Sequence, residues 1–403
     1  MMKKVKKESL KPIWWFRIFM GIYSRIVLFF RGGFKFNRKE LRKYKNGAII
    51  LFNHPSNQDH YMIAAAVNCR SFNFVLSGYY FLNPKLRKVI KLAKAIKKDQ
   101  FRPDLSAIRK IKKVVDDKGL IAIAPTGQVT IHGGPTYISP SIAKLIRLCK
   151  TDVIALQIRG AHLRYPKWRR SERMCEVTSE FVPVLKREEI DSLSDFDIYE
   201  RVSDVMNIND YDDQLIMHRK IKGKGLMEGL ETTLIYCPKC HTKYQHQVNK
   251  DEMICEKCKN HVKMDEYGFI HPVGLNDIAF QTEIEWYHFQ KEELKKEFLK
   301  DNFYLKNEVE LYSNVISIDH FEKVGKGIIS LTKTELKYQG MIDNEEVVKK
   351  FNLEQIFQLP FSPGNHFEVP DPDGNFKFIP LDNRNVVIEW VQIIDIMHEL
   401  NEK

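Results

Sequence analysis

His54 and Asp59 stand five positions apart in the run Asn53-His54-Pro55-Ser56-Asn57-Gln58-Asp59. An imidazole with a carboxylate on its second nitrogen is a general base suited to taking the proton of an alcohol near neutral pH. The carboxylate fixes the tautomer and stabilises the imidazolium that forms. With such a base, a bound alcohol can attack a thioester directly, and no Ser or Cys of the protein need be acylated. The spacing alone is weak, since His246 with Asp251 and His366 with Asp371 repeat it. Context separates them. Only His54 follows a continuous apolar run, Ala48–Phe52, where a strand-end loop can hold a side chain over a pocket. A histidine bonded to Asp59 for purely structural reasons is the competing reading.

A second constellation is Cys237-Pro-Lys-Cys240 with Cys255-Glu-Lys-Cys258, two Cys-x-x-Cys turns fourteen residues apart. Each turn presents two sulfurs, and an intervening hairpin brings the pairs together around one tetrahedral ion. The pattern resembles a zinc ribbon. Four protein ligands leave no open position, so Cys237, Cys240, Cys255 and Cys258 are expected to hold a structural zinc that folds a small module. His241, His246 and His261 are read as bystanders. Cys69, Cys149 and Cys175 are scattered singly, as reduced core cysteines would be.

The elements that must position His54 are legible from periodicity. Ala48–Phe52, Leu120–Ala124 and Val153–Ile158 are apolar runs suited to buried strands. Tyr61–Val67 and Leu105–Asp116 read as helices, the second with Leu105, Ile108, Ile111, Val114 and Val115 on one face and Lys and Arg on the other. Strands alternating with helices predict an α/β fold with an at least partly parallel sheet. Beyond about Asp212 the character changes. A Gly- and Lys-rich connector, Ile221–Gly229, leads to the cysteines, β-rich runs such as 309–318 and 328–341 follow, and an amphipathic helix, Val386–Leu400, ends the chain.

The chain of 403 residues carries a net charge of +12, and residues 1–50 account for all of it, with fourteen Lys and Arg against Glu8 and Glu40. Within that block, 13–30 reads IWWFRIFMGIYSRIVLFF. At about 100° per residue, Arg17, Gly21, Ser24, Arg25 and Arg31 fall in one arc, leaving Trp14, Trp15, Phe19, Ile22, Ile26 and Phe29 around the remainder. Such a helix is expected to lie in a membrane interface rather than cross it, its cations facing anionic headgroups. A helix buried against its own domain is the alternative. A short basic linker is expected after Gly32-Gly33. Nucleic acid is not an expected partner, because the positive excess lies on a hydrophobic N-terminus and not around the cysteines.

The segment from Asn53 to Asp59 resembles the first motif of the glycerolipid acyltransferase family, whose best-known members are the lysophosphatidate acyltransferases. The likeness runs over roughly 13–212, about half the chain. It implies that His54 and Asp59 form a catalytic dyad, that Asn53 and Ser56 belong to the substrate site, and that the acyl donor is an acyl-CoA or acyl-carrier-protein thioester. The acceptor it implies is the hydroxyl of a lysophospholipid or related membrane glycerolipid. At the second motif the family usually has Phe-Pro-Glu-Gly-Thr-Arg, and here the turn is Ala124-Pro125-Thr126-Gly127-Gln128-Val129. Pro125, Thr126, Gly127 and Gln128 occupy the acceptor-binding positions of that turn without the glutamate or the arginine. Phosphate could instead meet Lys97, Lys98, Arg102 or Arg159. Ser141–Lys144 and Val153–Ile158 stand at the third and fourth motifs, loosely matched.

The resulting expectation is a membrane-surface segment (1–34), an acyltransferase domain (35–215), a linker (216–232), a zinc ribbon (233–268) and a β-rich domain (285–403) that either resembles a pleckstrin-homology fold or is a plain β-rich domain without that kinship. The protein would lie on the cytoplasmic face of the membrane as a peripheral or monotopic O-acyltransferase. The alternative is a catalytically silent scaffold of the same shape that presents the ribbon and the C-terminal domain.

Overall fold

A computed structural model of the chain describes residues 9–81, 83–99, 104–314, 320–372 and 374–401. It divides into two compact units. The first runs to Val129 and takes in Pro135–Arg159 and Glu176–Ile208; the second holds Thr130–Gly134, Gly160–Cys175 and everything from Asn209 on.

The first unit opens with α1 (Trp14–Arg31), β1 (Phe34–Asn37), β2 (Ala48–Phe52) and α2 (Asp59–Val67). After these come β3 (Phe72–Ser77), α3 (Gly78–Phe81), α4 (Pro84–Leu92), β4 (Ile96–Lys98), α5 (Leu105–Asp116) and β5 (Leu120–Ile123). It closes with α6 (Ser141–Cys149), β6 (Val153–Arg159), β7 (Val177–Leu185) and a helix over Asp195–Met206. The seven strands form one sheet in the order β1-β7-β6-β2-β5-β3-β4, parallel throughout except for β6 against β7. The expected α/β class with a parallel-rich sheet is what forms. β2 is central and buried at all five positions, as a strand covered on both faces must be. α5 is capped by the Asp104 carboxylate, which accepts from the Ala107 N–H at 2.9 Å. It buries Ala107, Ile111, Val114 and Val115, while Leu105, assigned to the same stripe, is exposed. The stretch after Gly33 is not a linker. Phe34–Asn37 pairs in parallel with Val177–Glu180 as an edge strand.

α1 corrects a simpler picture of its faces. Its small residues Gly21 and Ser24 are buried with Phe16 and Leu28, and Gly21 lies so close to Cys69 that an added Cβ would meet its N and Sγ at 2.8 Å. The side of the helix that docks is therefore the one that carries Gly21 and Ser24, flanked by Phe16 and Leu28. Trp14, Phe19, Ile22, Ile26, Phe29 and Phe30 are left exposed, the last two at 80 and 82 %. Among the described residues no helix is long and apolar enough to cross a membrane.

The second unit contains two sheets. The smaller is antiparallel in the order β11-β10-β9-β8, with β8 (His246–Asn249), β9 (Glu252–Cys255), β10 (His261–Met264) and β11 (Ile270–Pro272). The larger joins β12 (Leu305–Ser313), β13 (Glu322–Leu331), β14 (Leu336–Ile342), β15 (Glu345–Phe351), β16 (Phe361–Ser362), β17 (His366–Asp371) and β18 (Gly374–Pro380) in the order β15-β14-β13-β12-β18-β17-β16. Part of the expected run 309–318 lies outside the described residues. The C-terminal helix, Val386–Asn401, is almost wholly buried, with Trp390 stacked on Phe367 at 5.0 Å between ring centroids.

Ribbon and large sheet share one core, in which Tyr236, Met253 and Val262 belong to the same apolar cluster as Leu311, Phe378 and Trp390. The helix Glu283–Phe298 runs through it: Trp286 donates to the Tyr236 carbonyl at 2.8 Å, and Gln290 bonds the Thr233 carbonyl and the Gln392 side chain. The expected linker 216–232 supplies core as well, since Ile221, Leu226, Met227 and Leu230 are buried. A separate ribbon and C-terminal domain joined by linkers is thus not the arrangement found.

Candidate active site and metal centre

β2 ends at Phe52, and the chain turns out of the sheet through 53–58 before α2 begins at Asp59. His54 Nδ1 lies 2.7 Å from Asp59 Oδ2. An ionised carboxylate only accepts, so Nδ1 carries the proton and Nε2 is left as the basic nitrogen. Asp59 is 1 % exposed and the His54 side chain 22 %, which leaves an oriented imidazole with access to solvent. The same carboxylate oxygen receives the Ser56 N–H at 3.4 Å. Of the three His and Asp pairs with this spacing, only this one closes: His246 bonds the Leu234 carbonyl and His366 faces Glu368.

The loop is held from both sides. Asn53 Nδ2 donates to the Ile158 carbonyl at 2.7 Å, and the Ile158 N–H donates to Asn53 Oδ1 at 2.8 Å. Ser56 is buried, its Oγ accepting from the Gln58 N–H at 3.3 Å. Asn53 and Ser56, expected at the substrate site as residues that shape the loop, make these bonds within it and to β6. Arg31 was not expected here. Its guanidinium bonds the Gln58 side chain and lies 5.5 Å from the Tyr61 ring centroid, so the last turn of α1 supports the loop. Its place in the polar arc of α1 was the only sequence signal.

Because β5 lies beside β2 in parallel register, Leu51 opposite Ile123, the turn 124–128 leaves the same edge of the sheet as the His54 loop. Ligands of open α/β sheets sit outside such carboxyl ends. Gly127 has φ +72°, a conformation suited to glycine, and its N–H donates to the Ala124 carbonyl at 3.2 Å. Thr126 Oγ1 donates to the Gln128 carbonyl at 3.1 Å. Pro125 to Gln128 are all partly exposed. The candidate phosphate ligands do not converge. Arg159 ends β6, on one side of β2, and bonds Gln157; Lys97 and Lys98 lie in β4, the last strand on the other side. Burial pulls the Lys98 ammonium below its ordinary pKa. Arg102 lies outside the described residues.

The four cysteine sulfurs all lie within 4.8 Å of one another, with Cys237 to Cys258 at 3.5 Å and Cys240 to Cys255 at 3.8 Å. Thiolates at about 2.3 Å around a tetrahedral ion stand about 3.8 Å apart, so the set fits one zinc ion. The knuckles match: the residue after each second cysteine, His241 and Lys259, is left-handed, and its N–H donates to the carbonyl of Cys237 or Cys255. His241 and His261 pair with Glu293 and Glu252.

Sequence reasoning passed over a buried polar cluster in the second unit. The Glu283 carboxylate accepts from Tyr211 Oη at 2.7 Å and Trp168 Nε1 at 2.9 Å, with His162 Nε2 at 3.1 Å. The Asp210 carboxylate caps the Gly160 and His162 N–H groups. These bonds fasten 160–175 to the body of its unit. Widely separated residues of ordinary type leave no local signal.

Residues 33–159 match the acyltransferase family model, described simply as Acyltransferase. No curated protein matches the chain. Among solved structures, the 1-acyl-sn-glycerophosphate (LPA) acyltransferase PlsC from Thermotoga maritima is similar over 46 % of this chain and 78 % of that one, with 13 % identity and a TM-score of 0.38. The family match spans β1 to β6, and with them the His54 loop and the 124–128 turn. Over those residues the chain is similar to the acyltransferase family, the one that its Asn53–Asp59 motif resembles.

Proposed function

We propose that the protein is a membrane-surface O-acyltransferase that moves a fatty acyl group from an acyl-CoA or acyl-carrier-protein thioester to the hydroxyl of a lysophospholipid or related glycerolipid. The observation that carries this reading is the 2.7 Å contact of His54 with the buried Asp59 at the carboxyl edge of the sheet. In the proposed step, His54 Nε2 takes the hydroxyl proton as the oxygen attacks the thioester carbonyl. The tetrahedral intermediate collapses by breaking the carbon–sulfur bond, and the imidazolium returns the proton to the departing thiolate. Asp59 keeps the ring in one tautomer and stabilises its charged form. The partly exposed turn Pro125–Gln128, lacking a cation, suits a neutral polar portion of the acceptor.

Attachment is proposed through the exposed apolar face of α1, with the basic N-terminal block toward anionic headgroups of the cytoplasmic leaflet. The cysteine cluster would hold structural zinc, which ties the two knuckles together and takes no part in transfer.

The altered 124–129 turn favours a second reading, a silent scaffold with the same membrane attachment. A transfer assay with a panel of lysolipids and both thioester donors, wild type beside His54→Ala, separates the two. An enzyme gives acylated product that His54→Ala loses; a scaffold gives none with either protein, although both sediment with vesicles.

A further inference from the structure

The far end of α2 from the His54–Asp59 pair carries a feature that acyl transfer does not use. A cavity of about 390 Å³ is lined by Arg38, Arg42, Lys45 and Arg70, with Val67 and Asn68, and among the described residues no carboxylate lines it. Since Asp59 is the first residue of α2 and Val67 the last, the helix separates this cavity from the imidazole by about 12 Å.

Arg42 and Lys45 are exposed and Arg38 and Arg70 half-buried, and the cations carry no counter-charge among the described residues. Arg70 donates to the carbonyls of Leu41 and Tyr44, which fixes its guanidinium in the wall. Glu40, the one carboxylate between Arg38 and Arg42 in sequence, pairs with Lys43 at 2.6 Å and not with the cavity. Among the described residues, Arg38, Arg42 and Lys45 form no ion pair. Burial, and then the like charges of Arg25 and Arg42, hold the Arg38 guanidinium below its ordinary pKa. Converging cations with no counter-charge raise the energy of the fold unless an anion joins them, and fork-shaped guanidinium donors match phosphate oxygens in particular. Arg25 also donates to Asn68 Oδ1 at 2.6 Å. That bond ties the cavity to α1, the helix whose exposed face holds Ile22, Ile26 and Phe29.

We propose that this cavity is a second, non-catalytic anion site that takes a phosphomonoester, either on a membrane lipid or on a soluble phosphate. Arg38, Arg42 and Lys45 supply the charge, and Arg70 shapes the wall. The site is independent of acyl transfer, so it stands or falls whether or not the protein turns over.

The test compares the full-length protein with Arg38→Gln/Arg42→Gln. Among the described residues these side chains bond no backbone group, so the substitution is expected to spare the fold, whereas replacing Arg70 removes bonds to the Leu41 and Tyr44 carbonyls. Sedimentation uses vesicles of phosphatidylcholine alone, with phosphatidate, and with phosphatidylglycerol at equal surface charge; a thermal shift is read with inorganic phosphate. A control, Arg109→Gln/Lys110→Gln, removes the same charge from the exposed side of α5. If the anion is a lipid headgroup, Arg38→Gln/Arg42→Gln lowers affinity for phosphatidate vesicles about tenfold. The control and the other two vesicle types then change little. If it is a soluble phosphate, the pair loses the phosphate-induced thermal shift without selectivity among vesicles. Equal losses in the pair and the control, or no loss in either, overturn the proposal.

Discussion

Asn53 and Ile158 hold each other by two hydrogen bonds, side-chain amide to backbone in both directions, at 2.7 and 2.8 Å. The loop carrying His54 is thereby fastened to β6, the strand beside its own. Misplacing a base by about 1 Å costs roughly a hundredfold in rate. Asn53→Ala is expected to lower kcat by about that factor, with KM for the acceptor nearly unchanged, because the bonds that Asn53 makes to Ile158 position the loop. An unchanged kcat at full thioester saturation would show that the loop keeps its geometry without this clasp.

Asp59→Asn keeps the shape of the side chain and removes its charge. The amide no longer stabilises an imidazolium, and it can hold the ring in the wrong tautomer. Transfer should fall by about 10²- to 10⁴-fold, measured as product per unit time with the best acceptor. Loss of activity with an unchanged melting curve is the expected pair of results.

One zinc ion per chain is expected by elemental analysis. Cys255→Ser removes one of four ligands, and because metal binding and folding of such a site are one process, it should release the ion. The knuckles share a core with the C-terminal sheet. Chelation at neutral pH should therefore lower the melting temperature of the whole second unit, and metal-free protein whose melting is unchanged would contradict this.

His132 is buried, its Nδ1 accepting from the Gly134 N–H at 3.1 Å, with the Tyr287 ring at 4.8 Å. Burial first, then His288, His162 and Lys291, push its pKa down from 6.5 to about 3. The folded state keeps this imidazole neutral while the unfolded chain binds a proton below pH 6.5. Its contribution to stability is thus full above 6.5 and is lost as pH falls toward 3. Glu283, with a lowered pKa, adds a loss of the same sign only below its ordinary 4.5. Between pH 6.5 and 4.5 the melting temperature should fall, and less steeply in His132→Gln. Burial lowers His246 too, so the difference between the two proteins is the diagnostic. Parallel slopes would show that His132 is protonated in the fold.

Local chemistry explains why so much could be read in advance. Ala48–Phe52, Leu120–Ile123 and Val153–Leu156 are short and wholly apolar, and only a doubly covered strand suits such runs. The knuckles announce themselves because metal geometry dictates ligand spacing. Phe72–Ser77 and Ile96–Lys98, by contrast, passed unread. Their side chains alternate or are charged, and β4 becomes a strand only because β3 offers it hydrogen bonds.

The sequence by itself determined the pieces: a base and a carboxylate after a buried strand, four thiolates in two knuckles, and an amphipathic N-terminal helix. Spacing along one chain is enough for these, since their chemistry is local. Tertiary structure decided which pieces meet. It closed His54 on Asp59 and left the other two such pairs open, spent Asn53 on Ile158, and docked α1 by Gly21 so that its aromatic face stays bare. It also merged the ribbon and C-terminal sheet into one core. Each of these outcomes depends on strand order and close packing between residues far apart in sequence, which no periodicity records.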